Sequence, residues 1–199
     1  MKIPVTITFT EELLGTSPGD PLLHSEFIAK KAPDAKTREE EIAQYGAAEV
    51  ETRTMSVFPR DRGKPFLYDY QVKGFFKDAC GCLARVPGTK SAGLKAYRKV
   101  IDGTIFVFPR KIVITGNGEM GDCQRPLRAS GPQGERVALA HSETVPPGSS
   151  IEFVIELLDD RQWPTVKEWL DYGKLRGIGQ WRNSGKGRFT YKANTKAKG

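Results

Sequence analysis

Apolar residues recur along this chain with two periods, and the order in which these periods alternate limits the folds that it can adopt. Strand-like patterns occupy four stretches, at residues 3–9, about 104–115, about 149–158 and 187–191. Between them, helical spacing runs from about Gln71 to Arg85 and from Pro164 to about Leu175. Because strands and helices interleave without a strict repeat, we predict an α+β fold in which helices cover one face of a sheet built from the four strands.

The first of these helices has one apolar face, whose members are Val72, Phe75, Phe76, Ala79 and Leu83. Beside the core we predict a helical insertion at 20–46 and a hairpin insertion at 51–70, whose tip PRDRGKP is basic. A second, basic helix is expected from about Ser91 to Ile101, and residues 192–199 are expected to form a flexible basic tail. The chain is therefore predicted to be a single domain over residues 1–199.

Composition argues against several classes of protein. Charged residues make up 28% of the 199 residues, and no apolar run approaches the roughly 20 residues that cross a bilayer, so we expect no membrane association. The start, MKIPVTITFT, lacks the features of a secretion signal, which predicts a cytoplasmic protein. Cys80, Cys82 and Cys123 favour neither a disulfide framework nor a four-ligand zinc site. We expect no metal and no other cofactor.

Positive charge is concentrated at one end of the chain. Residues 173–199 contain eight Lys or Arg and no Asp or Glu, whereas the whole chain carries +7, so the remainder is close to −1. Phosphate neutralisation by such residues supplies much of the affinity for nucleic acid. A basic cluster of this kind predicts a surface that binds a polyanion.

Within that region, residues 177–189 read GIGQWRNSGKGRF and contain two glycine pairs, Gly177 with Gly179 and Gly185 with Gly187. Glycine allows positive φ angles and close approach of a phosphate or sugar to the backbone. Arg182, Lys186 and Arg188 add charge, and Trp181 offers a face on which a base can stack. The combination predicts binding of single-stranded nucleic acid, although a purely structural turn between a helix and a strand is the alternative interpretation. The segment lacks the Gly-Lys-[Ser/Thr] ending of a Walker loop and the spacing of a dinucleotide fingerprint.

The pattern G-x-G-x5-G-x-G followed by a basic and an aromatic residue resembles the C-terminal glycine-rich loop of the RAMP superfamily of CRISPR-associated proteins. Two further segments resemble the backbone subunits of multi-subunit CRISPR effectors in that superfamily. In the first segment, DYQVKGFFKDACGCL, Lys73 and Gly74 resemble the Lys-Gly pair that precedes an amphipathic helix in those subunits. A Glu-x-Val-Pro-x-Gly turn is matched by Glu143, Val145, Pro146 and Gly148.

This resemblance implies a ferredoxin-like, RRM-like antiparallel core that grips a guide RNA through the glycine-rich loop, with Lys73 and Gly74 as further RNA-binding residues. It also implies association with copies of the same chain or with other effector subunits, with an insertion acting as a thumb between neighbours. Residues 20–46 have no counterpart in the family. Asp20 resembles in position a catalytic aspartate of RNA-cleaving members, but it stands before Pro21 as a helix cap would.

We assign no catalytic residue, because His24 and His141 each lie apart in sequence from a second acid–base group. Two alternatives to RNA binding without cleavage stay open. One is a metal-independent endoribonuclease that processes CRISPR-type repeat RNA, for which His24 or Tyr68 would be the candidate. The other is a phage or virion-associated protein whose basic end contacts nucleic acid nonspecifically.

Overall fold

A computed structural model describes residues 1–18, 55–116, 118–131 and 134–195. Contacts divide the chain into two compact units. The first consists of Met1–Leu13, Pro59–Glu119 and Val145–Gly199, and the second of Leu14–Phe58 and Met120–Thr144. The predicted helical insertion at 20–46 lies outside the described residues.

The first unit is built on a sheet of seven strands in which all recorded neighbours are antiparallel. In chain order the strands are β1 (Lys2–Phe9), β5 (Arg60–Asp61), β6 (Lys64–Tyr68), β7 (Ile105–Phe108), β8 (Lys111–Thr115), β11 (Ser150–Leu157) and β12 (Phe189–Ala193). Across the sheet the order is β12, β1, β11, β8, β6, β5, and β7 pairs with β11 beside β8.

The four stretches predicted to share a sheet do so. The chain passes through β1, a helix, the β7 and β8 segment, β11, a second helix and β12. The first and last strands are neighbours, and β11 separates β1 from β7 and β8. This arrangement is consistent with a ferredoxin-like fold, and the predicted α+β class is confirmed. In β1 every second side chain is buried, namely Ile3, Val5, Ile7 and Phe9, as the alternation predicted.

Among the residues that the structure describes, three α-helices accompany the sheet: α1 (Asp69–Leu83), α2 (Tyr97–Thr104) and α3 (Trp163–Arg176). The predicted buried face of α1 is confirmed at four of its five positions; Leu83 is half-buried, and Cys80 is buried in addition. The ring of Phe76 lies 5.6 Å from that of Trp169 in α3, and Phe75 lies 5.2 Å from Phe189 in β12. The two helices and the last strand therefore share one core.

The single basic helix predicted from Ser91 to Ile101 is wrong in its boundaries. The chain instead forms a short 3-10 helix at Ser91–Gly93 and then α2. Ala96 between them adopts a left-handed conformation with φ of 50°, which an uninterrupted helix cannot contain.

The second unit contains a smaller sheet. Its strands are β2 (Leu13–Leu14), which begins at the end of the first unit, β3 (Ser17–Pro18), β4 (Ser56–Val57), β9 (Gly121–Gly131) and β10 (Gly134–Val145). The order is β2, β10, β4, β3, and β9 pairs with β10 as a long antiparallel hairpin. The sequence of β9 shows no apolar alternation, because it contains Pro126 and several charged or polar residues.

Candidate nucleic-acid interface

The glycine-rich loop begins where α3 ends. Gly177 caps the helix with φ of 75°, and its amide donates a hydrogen bond to the carbonyl of Gly173 at 3.0 Å. The amide of Ile178 donates to the carbonyl of Gly187 at 2.9 Å, and the Gly187 amide donates to the carbonyl of Glu12 at 2.8 Å. The two glycine pairs are thus folded against each other by backbone hydrogen bonds.

Two of the glycines are required by this backbone crossing. A Cβ atom on Gly187 would lie 1.9 Å from the carbonyl oxygen of Ile178, and one on Gly177 would lie 2.5 Å from that of Lys186. Both glycines also have positive φ angles, which side chains disfavour. At least in part, these glycines therefore serve to let two segments of the loop backbone pack closely against each other.

The predicted cations of the loop pair with carboxylates and a backbone carbonyl of the protein itself. Arg182 Nη1 lies 2.7 Å from Asp78 Oδ2, and Arg176 Nε donates to the same oxygen at 2.9 Å. Lys186 Nζ lies 2.6 Å from Glu12 Oε2. The last predicted cation, Arg188, donates from Nε to the carbonyl of Leu175 at 3.0 Å. With Arg176 included, four cations meet two carboxylates, so the cluster keeps a net positive charge.

Sequence reasoning missed Asp78, which lies on the helix α1 and holds two arginines of α3 and the loop. The side chains of Arg182 and Asp78 are 28% and 24% exposed, so this pair lies at the surface. The hydrogen bond to Asp78 and the negative charge of Asp78 raise the pKa of Arg176 above its ordinary value. The Arg176 guanidinium therefore stays charged at any pH at which the protein is folded. Asp78 is 98 residues from Arg176 in sequence, so no local pattern could have paired them.

Trp181 occupies a strained position beside these arginines. Its φ angle is 53°, in the left-handed region, and it immediately precedes a short 3-10 helix at Arg182–Ser184. Bulky residues rarely adopt this conformation, which costs of order 1 kcal/mol. The indole side chain is 38% exposed, which leaves part of the ring accessible to a partner.

Lys73 and Gly74 lie in the first half of α1, on the helix that supplies Asp78. The distance along the helix axis from Lys73 to Asp78 is about 7.5 Å. The Lys73 ammonium donates to the carbonyl of Asp102 at 3.1 Å, and its side chain is only 15% exposed. Gly74 is exposed, and a Cβ there would meet nothing within 4 Å. Lys73 thus contacts α2, whereas Arg182 of the loop contacts a later turn of α1.

The turn that contains Gly148 meets the same segment of chain as the loop does. The Gly148 amide donates to the carbonyl of Phe9 at 2.8 Å, and Gly148 has φ of 85°. One residue later, the Thr10 amide donates to the carbonyl of Arg188 at 2.8 Å. Two motifs that are separate in sequence therefore converge on the end of β1, at Phe9 and Thr10.

Of the residues considered for catalysis, His24 and Asp20 lie outside the described residues. His141 hydrogen-bonds through Nε2 to the carboxylate of Asp122 in the neighbouring strand. Tyr68 ends β6 and stacks on Tyr70.

In the part of the chain that the structure describes, no three His, Cys, Asp or Glu residues form a group that could hold a metal ion. No described helix is both long and apolar enough to span a membrane.

Comparison with known proteins yields matches of fold only. No family model matches the sequence, and no curated protein matches it. Among solved structures, one similar chain belongs to the cryo-EM structure of the Type III-B Cmr-beta bound to cognate target RNA, with a TM-score of 0.55 and 12% identity over 97% of this chain. Another belongs to a Type IV-B CRISPR complex, with a TM-score of 0.49 and 12% identity over 100% of this chain and 92% of that one. The chain spans 59% of the length of the first match. At 12% identity, that match shows a similar fold and does not assign the chain to a family.

Proposed function

We propose that this protein binds RNA, as a subunit resembling the backbone subunit of CRISPR effector complexes, and that it grips guide or other single-stranded RNA through the glycine-rich loop. The RNA-binding residues would be Gly177, Gly179, Trp181, Arg182, Gly185, Lys186, Gly187 and Arg188, with Lys73 and Gly74 on α1. As such a subunit it would associate with copies of itself or with other effector subunits.

The observation that carries the proposal is the collection of four cations, with a partly exposed indole beside them, at the junction of α3 and the loop. Cations of this kind attract a phosphate backbone, and an aromatic face adds stacking that tolerates any base. The fold supports the same function, because it resembles that of a chain in an RNA-bound CRISPR assembly.

Internal carboxylates are compatible with this role. Arg176 and Arg182 share one carboxylate, and each guanidinium has five N–H donors, more than that carboxylate can accept from two arginines. Asp78 then fixes the direction in which the arginines point and lowers the entropy lost when a phosphate binds. The same carboxylate also repels the phosphate, so Asp78→Asn, whose amide oxygen can still accept hydrogen bonds from both arginines, should strengthen binding.

The test is a filter-binding titration of a labelled single-stranded RNA at several salt concentrations. Replacing Arg182 and Arg188 together by Ala should weaken binding to all sequences. It should also flatten the dependence of log affinity on log salt by about 0.7 to 1 unit per lost phosphate contact. Asp78→Asn should have the opposite effect and tighten binding. A matched control removes two exposed cations elsewhere, Lys95→Ala with Lys99→Ala, and should change affinity less.

Circular dichroism must show that each variant is folded. If the folded double variant of Arg182 and Arg188 binds RNA with unchanged affinity and salt slope, the loop is not the RNA-binding site. Incubation of the same RNA with the protein in the presence of a chelator also tests cleavage, and intact RNA is the expected result.

A further inference from the structure

Tyr68 and Tyr70 form an ordered stack with Arg110 on the surface of the first unit. The two ring centroids are 5.1 Å apart, and the ring planes differ by 16°. The Arg110 guanidinium carbon lies 5.5 Å from the Tyr68 centroid and 5.3 Å from the Tyr70 centroid. Because these three distances are nearly equal, Arg110 lies beside the two rings and does not cover the outer face of Tyr70. Tyr70 is 52% exposed.

The stack is held rigidly in place. Tyr68 ends β6, Tyr70 lies in the first turn of α1, and Phe66 meets Tyr68 edge-on at 4.9 Å. Arg110 is fixed in turn by Asp69, whose Oδ1 lies 2.6 Å from Arg110 Nη1. A ring that is already immobilised loses little conformational entropy when a second ring stacks on it.

Positive charge lies on the strands that adjoin the stack. The hairpin of β5 and β6 turns at Arg62 and Gly63, which both have positive φ angles, as a two-residue turn of this kind requires. The cations on this hairpin and on the neighbouring β8 segment include Arg62, Lys64, Arg110 and Lys111, all exposed. Among the described residues of these segments and the first turn of α1, the carboxylates are Asp69, and Asp61, which lies 3.1 Å from Lys111 Nζ. These four cations exceed the two carboxylates by two.

We infer that Tyr70 is a second RNA contact, on which one unpaired base stacks while the hairpin cations hold the flanking phosphates. This inference rests on the proposed function and adds a site separate from the glycine-rich loop. An exposed aromatic surface with excess positive charge on the adjoining strands suits a nucleobase with its phosphates. The same charge disfavours a cationic or purely apolar protein partner.

The experiment compares two labelled 12-mers by fluorescence anisotropy, one of adenosine nucleotides and one with the same phosphates but abasic sugars. Stacking of one base is worth about 1 to 3 kcal/mol, so Tyr70→Ala should weaken binding of the adenosine 12-mer by roughly 5- to 150-fold. Binding of the abasic 12-mer and the salt slope should not change. Tyr70→Phe should keep near-normal affinity. Tyr70→Leu, which retains an apolar side chain at the start of α1, should behave like Tyr70→Ala.

Leu158→Ala, which truncates another exposed apolar side chain, is the matched control and should bind both RNAs normally. Equal losses on both 12-mers would show that Tyr70 supports the fold or the local charge, and would overturn the stacking role. So would unchanged RNA affinity in Tyr70→Ala combined with altered self-association, since the surface would then bind protein. If the wild-type protein binds neither 12-mer at low salt, the proposed function itself fails. If the double variant of Arg182 and Arg188 loses RNA affinity but Tyr70→Ala does not, the proposed function stands and the stacking role of Tyr70 is wrong.

Discussion

At Gly187 a single added methyl group would meet the carbonyl of Ile178 in the opposite limb of the loop. We predict that Gly187→Ala lowers the free energy of unfolding by about 2 to 5 kcal/mol, since it combines a backbone clash with a disfavoured positive φ angle. Gly63→Ala is the matched control, because Gly63 has φ of 80° but nothing within 4 Å of an added Cβ. It should cost only about 1 to 2 kcal/mol. Denaturant titration measures both, and equal losses would show that the loop opens to accept the side chain.

At the scale of elements, Glu168 connects α3 to the 3-10 helix at Ser91–Gly93. Its carboxylate accepts hydrogen bonds from the Lys90 amide at 2.7 Å, the Ser91 amide at 3.1 Å and the Ser91 hydroxyl at 2.7 Å. The Trp169 indole donates to the same hydroxyl at 2.9 Å. Desolvation by burial acts to raise the pKa of Glu168, but these hydrogen bonds together hold it below its ordinary value.

We predict that Glu168→Gln lowers the free energy of unfolding by about 1 to 2 kcal/mol at pH 7, because the charged acceptor is lost. Since the folded-state pKa of Glu168 is depressed, its contribution is present above the unfolded value of about 4.3 and disappears as pH falls through the folded value. The difference between wild type and variant should therefore stay constant above the unfolded pKa of about 4.3 and shrink as pH falls below it. Urea titrations from pH 7 down to about pH 3 test this, with exposed Glu152→Gln as a control expected to have no effect. A difference independent of pH would show that the charge of Glu168 is not responsible.

At the scale of the whole molecule, the first and last strands of the first unit pair inside one sheet. The register runs from Val5 opposite Ala193 to Phe9 opposite Phe189. Phe189 is fully buried, and its ring would lie 2.1 Å from a Cβ atom on Gly173, so α3 packs directly over β12. The strand extends through Lys192, the first residue of the predicted tail.

We predict that a chain ending at Arg188 no longer unfolds cooperatively on heating. Without β12, the strand β1 loses one of its neighbours and the core loses the ring of Phe189. Removal of such a ring by a single Phe→Ala change already lowers the free energy of unfolding by about 3 to 5 kcal/mol. Melting followed by circular dichroism measures this. The full-length chain with Thr190→Ala, at an exposed position of the same strand, should melt as the unaltered protein does. A cooperative melt in the shortened chain would show that the rest of the first unit folds without β12.

The sequence alone determined the four principal strands, α1 with its buried face and α3, because alternating or helical burial is set by residues close together in the chain. It also located the basic glycine-rich segment, since composition is visible without a fold. The resemblance of three ordered motifs to the RAMP superfamily predicted the ferredoxin-like arrangement, with which the strand order is consistent.

Only the tertiary structure decided which groups meet. Glu12 and Lys186 are 174 residues apart, and Asp78 reaches Arg176 across 98 residues, so both ion pairs depend on how α1, α3 and the end of β1 come together. The need for glycine at 177 and 187 likewise follows from a backbone crossing that exists only in the folded chain. The stack of Tyr68, Tyr70 and Arg110 joins the end of β6 to the start of β8. These two segments are about 40 residues apart in sequence and are neighbours only because β6 pairs with β8 in the sheet. Such contacts arise from packing between distant segments, and the periodicity of neighbouring residues carries no information about them.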